Sequence, residues 1–299
     1  MIDKNILEFY KQTSSYTDLG LYRDFAKNLP DDIVELCQLQ RNQIIHPIAF
    51  KNKEIRNSKN CFWGDMTQIS DMRLLREDDI LPNSISMLAE LMRRDNAYSH
   101  NREAKDKIFV TCRGQALLLA AILKAKGIPA RVRSGFAEYP CNNGYYWDHW
   151  ITEYYNSKDN KWILVDADCC SNDNINFDIY NIPQDKFLTV ERAWLEFREK
   201  GITSLKLGHA YYGSGEDKLI EILVTTLFYD FHCLMNDEII YVHHPKYLKD
   251  KDFKLDKNDL EELDELARLM LDPDKNFNQL NDIWNNKAKF RIMTGGTIN

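Results

Sequence analysis

The chain has 299 residues, enough to bury one large core or two small ones. Its composition, 44% hydrophobic and 28% charged, is that of a globular protein and excludes wholesale disorder. The net charge of −7, with no clustered basic stripe, argues against a nucleic-acid partner.

The first elements are helical. Residues 3 to 13 and 18 to 28 predict two short helices, with Thr13-Ser14-Ser15 between them. Asp31 and Asp32 are placed to cap a third helix, from Ile33 to about Ile45, with Ile33, Leu36, Cys37, Leu39 and Ile44 on its apolar face. His46-Pro47 ends it, and His46 is expected as a C-terminal residue favoured by the helix dipole. Residues 51 to 71 are polar and loop-like, and Met72 to Leu75 start another helical piece. Pro82 to Arg94 predicts a helix with Ile85, Leu88, Ala89, Leu91 and Met92 inward. Asn96 to Lys107 is a polar loop.

Ile108 to Val110 then leads into Thr111 and Cys112. Arg113 to Lys126 is a run of helix formers, closed by Gly127 in the position past a helix end and by Pro129. Ala116 to Leu123 contains no polar residue, as expected of a buried helix. Cys112 therefore sits at the first turn of a helix around which its domain packs. The unpaired N–H groups and partial positive charge of that end favour a thiolate and offer donors to an oxyanion. A cysteine beside a buried helix is usually a small core residue; what distinguishes this one lies downstream.

Ala130 to Tyr139, Trp147 to Tyr155 and Lys161 to Asp168 predict three strands, the last two close enough to form an antiparallel hairpin. His149, Ile151, Glu153 and Tyr155 share one face of the second, and Trp162, Leu164, Asp166 and Asp168 share one face of the third. With the four-residue loop Ser157 to Asn160, His149 lies opposite Asp168 and diagonal to Asp166. With the six-residue loop Tyr155 to Asn160, it lies opposite Asp166. Either register brings a carboxylate toward the imidazole. The order is thus Cys112, His149, then Asp166 or Asp168. A thiol attacks as thiolate, an imidazole takes its proton and returns it to the leaving group, and a carboxylate fixes the ring's tautomer.

Beyond Asp168, Ser171 to Asn174 is irregular. Gln184 to Lys200 predicts a helix stopped by Gly201, and residues 204 to 215 a loop rich in Gly and Tyr. Glu216 to Met235 is a long apolar helix. Leu260 to Leu271 is amphipathic, with acids early and Arg268 late, and Asn276 to Phe290 is a last helix. No internal repeat or low-complexity linker divides the chain, so a single domain over 1–299 is expected.

Three segments together resemble the transglutaminase-like superfamily: TCRGQALLLAAILKAKGIPARVRSGF, DHWITEYY and WILVDAD. The pattern is a Cys opening an apolar helix followed by Gly-Ile-Pro-Ala-Arg, a strand with His-Trp, and a strand ending Val-Asp-Ala. It covers about residues 85 to 170. The flanks, Leu29-Pro30-Asp31-Asp32 with Ile44-Ile45-His46, and Ile182-Pro183 through Ala193-Trp194, are similar to an uncharacterised bacterial subgroup. Asp168 departs from that subgroup, where Gln or another polar residue is expected.

The resemblance implies an α+β, papain-like fold. An antiparallel sheet packs on the central helix that starts at the nucleophilic cysteine, and 1–84 and 171–299 add helices. It implies Cys112 as nucleophile, His149 as general base and Asp166 as orienting acid. The implied reaction is acyl transfer on an amide or related carbonyl through a thioester, resolved by water or by an amine. Trp147 and Trp150, flanking the histidine, are expected at the substrate, although strand packing is the more usual role for at least one of them. The substrate would be a peptide, a protein or a small amide. The mechanism calls for no cofactor and no metal. A non-catalytic scaffold on the same fold is the competing reading.

The seven cysteines, at 37, 61, 112, 141, 169, 170 and 233, are odd in number and none fall at two-residue spacing. They form neither a disulfide framework nor a zinc pattern. No apolar run approaches the roughly 18 residues of a membrane span. The segment MIDKNILEFYKQ lacks the apolar core of a signal peptide. A reducing, cytoplasmic location is therefore expected.

Overall fold

The computed structural model describes residues 2–170, 174–201, 206–241, 243 and 253–291. Expectations for 171–173 and 204–205 lie outside the described residues. Among those described, no helix is long and apolar enough to cross a membrane. The architecture is α+β. The chain forms two compact units. One comprises Met1–Phe9, Arg131–Trp150 and Pro183–Asn299, and the other Tyr10–Ala130 and Ile151–Ile182.

The first unit is a sheet with helices behind it. Strands β1 (Ala130–Ala137), β2 (Tyr146–Asn156), β4 (Leu188–Thr189), β5 (Leu207–His209) and β6 (Gly213–Ser214) run in the order β4-β1-β2-β5-β6. β1 pairs with β4 and β5 with β6 in antiparallel fashion. β2 meets β5 in parallel, through Tyr146↔Leu207 and Trp147↔Gly208. Gly208 is required there, because a Cβ would lie 2.8 Å from the Trp147 ring. The stretch expected as a Gly- and Tyr-rich loop thus contains two short strands. The helices are α7 (Val190–Lys200), α8 (Leu219–Leu234), α9 (Lys257–Met270) and α10 (Phe277–Asn286). Their apolar faces close over Phe136, Trp194, Leu223, Phe228, Leu266 and Leu280. α7 starts six residues later than expected from Gln184, because Leu188 and Thr189 are drawn into the sheet.

The second unit is built on α6 (Cys112–Ala125), which is buried from Cys112 to Lys124. Helices α2 (Arg23–Lys27), α3 (Ile33–Arg41) and α5 (Ser84–Arg94) pack against it. Asp32 caps α3, accepting from Glu35 N–H at 2.9 Å. α5 opens with a reciprocal capping box between Asn83 and Ser86. Gly127 ends α6 at φ +77°, as the sequence predicts. The later part of β2 forms a hairpin with β3 (Lys161–Val165), and Thr152 Oγ1 donates to the Ala116 carbonyl of α6 at 2.9 Å.

Two expectations change in this unit. α3 ends at Arg41, not near Ile45. Ile44 instead forms a parallel bridge with Ile108, in the segment that leads into Cys112. β3 ends at Val165, not at Asp168; from Asp166 onward the chain bends out of the ladder.

Candidate active site

Cys112 is buried at the first residue of α6. What places it is the extended segment before it. Phe109 N–H donates to Glu77 Oε2 at 2.7 Å. Thr111 donates to Asp78 Oδ1 twice, from N–H at 3.0 Å and from Oγ1 at 2.6 Å. Thr111 is the residue that would cap α6, yet its hydroxyl is committed to Asp78 and makes no capping bond. Glu77 is in turn clamped by Arg94 at 2.7 Å and Arg73 at 3.4 Å. Burial raises the Glu77 carboxyl above its ordinary range, against the pull of Phe109 N–H and Arg73.

Gly114 lies two residues into the same helix. A Cβ there would sit 2.6 Å from Val110 Cγ2. That close approach lets the segment before Cys112 fold back onto the turn that follows it.

A histidine that the sequence reading set aside stands at Cys112. His46 is the cap of a 3-10 turn, Pro47–Lys51, not the end of α3. Its Nδ1 accepts from Ile48 N–H at 3.2 Å, so the neutral ring carries its proton on Nε2. Nε2 lies 3.7 Å from Asp168 Oδ2, and the ring hydrogen-bonds the Cys112 thiol. Burial alone would lower the basicity of this ring. Asp168, and after it the Cys112 thiol, outweigh burial and raise it.

The two candidate acids are held differently. Asp166 Oδ1 accepts from Asp168 N–H at 2.8 Å and from Cys169 N–H at 3.1 Å, which turns the chain out of β3. Asp168 turns the other way, with Oδ2 toward His46 and Oδ1 accepting from Gln115 Nε2 at 3.3 Å. Gln115 is itself fixed by Gln40, whose Nε2 donates to the Gln115 carbonyl at 2.8 Å. Of the two hairpin registers open to the sequence, the four-residue one is present: Asn156 pairs with Lys161 and Thr152 with Val165.

In the first unit, His149 lies on β2 and is buried, with the Tyr139 ring edge-on at 5.6 Å. Its neighbour Asp148 accepts from Ala210 N–H at 2.6 Å and faces His209 at 3.8 Å, which ties β2 to the β5 end. Trp150 is 1% exposed and enclosed by Tyr229 and Tyr241, with ring centroids at 5.6 and 5.5 Å. Trp147 is half-buried, and its indole N–H donates to Asn143 Oδ1 at 3.3 Å. Cys112 and Asp166 thus belong to the second unit and His149 to the first.

Comparison with known proteins agrees with the residue pattern. Residues 91–167 match the family model of the transglutaminase-like superfamily, a range that contains Cys112, His149 and Asp166 in order. This segment is thus similar to the core of a superfamily that includes cysteine-dependent enzymes. A solved structure of a proposed cysteine protease from Cytophaga hutchinsonii is also similar. The identity is 15% and the TM-score 0.35, over 63% of this chain and 46% of that one. The chain therefore spans less than half the length of that protein. Among curated proteins nothing matches.

Proposed function

We propose that the protein is a cysteine-dependent acyl-transfer enzyme acting on an amide or related carbonyl of a peptide, a protein or a small molecule. The Cys112 thiolate attacks the carbonyl carbon, forming the C–S bond. As the tetrahedral intermediate collapses, the C–N bond breaks and His149 gives its proton to the departing amine. Water then resolves the thioester with His149 as base, giving hydrolysis; an amine in place of water gives transfer. Asp166 orients His149. The engagement of Asp168 with His46 and Gln115 favours Asp166 for that task.

The observation that carries this reading is the setting of Cys112. It opens a buried helix, with a histidine N–H donor at its thiol. His46 is assigned the part of oxyanion donor, together with the backbone N–H of Cys112, and not that of general base. A base in a Cys–His–Asp relay takes the thiol proton on one ring nitrogen and leans on the acid with the other. In His46 the acid lies at Nε2 and a backbone N–H occupies Nδ1, so the ring is built to donate. Trp147 is the tryptophan retained for the acyl group, since Trp150 is enclosed by tyrosines.

The test is to trap the thioester. With p-nitrophenyl acetate, rapid quench and peptide mass spectrometry should find one acetyl group on Cys112 in the wild type. No acyl group should form in Cys112→Ser. Acylation spread over several cysteines, or unchanged in Cys112→Ser, would remove the nucleophile assignment and leave the scaffold reading.

A further inference from the structure

The second unit holds a cavity of about 320 Å³ whose lining includes Trp63, His100, Asn101, Arg102, Glu103 and Lys107. Its walls carry buried positive charge without matching negative charge. Lys107 is 3% exposed, and among the described residues its ammonium has no hydrogen-bond or ion-pair partner. Arg102 is equally buried. Its guanidinium is spent on the carbonyls of Leu91, Asp95, Ala97 and Asp106 and on Gln43 Oε1. Arg41, behind the wall, stacks over Phe62 and Trp63 at 4.9 and 5.1 Å and, among the described residues, hydrogen-bonds only the Ile44 carbonyl.

Among the described residues, no carboxylate lies within ion-pair distance of any of these three cations. The two acids of the lining are turned elsewhere. Asp65 accepts from Thr67 and Gln68, and Glu103 pairs with Lys105 at 2.6 Å. The indole N–H of Trp63 is also buried without a partner among the described residues.

A lone buried ammonium is costly, and a polar cavity wall with unspent donors is ordinarily matched by a ligand. We infer that this cavity binds a small anion, a carboxylate- or phosphate-bearing molecule, with Lys107 as its counter-charge and the Trp63 N–H as a further donor. Phe62, 47% exposed on the lining, gives an apolar lip for the remainder of the ligand. The state of Lys107 agrees: burial, then the neighbouring Arg41, pushes its ammonium down to about 8. A bound anion reverses that shift, so binding is accompanied by proton uptake near and above this pH.

The experiment is isothermal titration calorimetry on the full chain, with inorganic phosphate and with acetate as separate probes at fixed ionic strength. At about pH 7 one of the two is expected to bind at millimolar concentration or below, and which one binds identifies the anionic group. Affinity should fall at least about tenfold by pH 9.5, as Lys107 loses its proton. Lys107→Met should weaken binding at least about tenfold, one pK unit's worth of lost charge interaction, and Lys107→Arg should retain it. Without anion, Lys107→Met should melt at or above the wild-type temperature, since it removes an unpaired buried charge. That melt also shows that the variant is folded. Cys112→Ser should bind as the wild type does, which separates this site from the proposed reaction. Failure of both anions to bind, or equal binding by Lys107→Met, would overturn the assignment.

Discussion

His46 Nε2 stands 3.7 Å from Asp168 Oδ2, while Nδ1 of the same ring accepts from Ile48 N–H at 3.2 Å. One side of the imidazole is thus fixed as an acceptor and the other as a donor beside the thiol. His46→Ala should therefore lower kcat for an ester or amide substrate by about 100-fold or more, the usual loss for one oxyanion donor. KM should change little, and alkylation of Cys112 by a neutral reagent should persist. His46→Gln, which retains an N–H donor, should recover part of the loss. Steady-state kinetics beside labelling rates checks this. Loss of labelling and turnover together would make His46 the base.

Gly114→Ala should disturb the same site from the backbone. Its Cβ would approach the branched Val110 side chain to 2.6 Å, and Met87 Sδ lies 3.5 Å away. Overpacking of this kind costs about 1–3 kcal/mol. Chemical denaturation should show that loss although alanine is the better helix former. Labelling of Cys112 should slow, because the turn that carries it must shift. A neutral or stabilising effect would mean that Val110 yields without cost.

The core of the first unit carries a pH-sensitive group away from the candidate site. Arg133 is committed to Asp230, with Nη2–Oδ2 at 2.8 Å and Nε–Oδ1 at 3.0 Å, and Asp230 also accepts from Ser134 N–H. Glu191 stands 3.6 Å from the same guanidinium, with Oε2 buried and, among the described residues, unpartnered. Burial pushes its carboxyl up to about 7; Arg133 draws it down, and the Asp230 charge pushes it up again. A carboxyl raised on folding holds its proton longer than in the unfolded chain. Its contribution is fully present below about pH 4.3 and is lost as pH rises through about 7. Glu191→Gln should match the wild type near pH 4 and exceed it at pH 8 by at least ~1 kcal/mol. Thermal melts across that range check the sign. Equal slopes in the two proteins would show that Glu191 ionises freely in the fold.

The buried Arg133–Asp230 pair itself should be intolerant of half-removal. Asp230→Ala leaves an arginine uncompensated among α8 and β1 and should cost about 3–5 kcal/mol. Urea denaturation measures it. A loss near zero would place water or Glu191 as a ready substitute.

Much of this was legible in the sequence where one local signal governed. α6 was readable because an apolar run ends at Gly127, and the β2–β3 hairpin because side chains alternate across a polar turn. The hairpin register was not, since two loop lengths satisfy the same alternation; Asn160 at φ +52° settles the tight turn. His46 was hidden because the apolar pattern of α3 runs on to Ile44. The helix is stopped by side chains bending back, Asn42 onto the Gln38 carbonyl and Gln43 onto that of Leu39. Ile44 then pairs with Ile108, far along the chain. β5 and β6 were hidden for a similar reason: both are short, β5 pairs with β2 some sixty residues earlier, and β6 forms on β5. Gln40 and Gln43, shortly before His46 in the chain, were the available hint, since fully buried amides are unusual and imply a polar network.

The central claim is that Cys112 is a thiolate nucleophile sustained by His149. The most direct test is the pH profile of iodoacetamide labelling, read by peptide mass spectrometry on the wild type and on His149→Ala. Cys112 should label first among the seven cysteines, already near pH 6, well below the ordinary cysteine pKa of about 8.5. That low-pH reactivity should vanish in His149→Ala. Slow labelling of Cys112 that follows an ordinary thiol titration and is unchanged in His149→Ala would contradict the account.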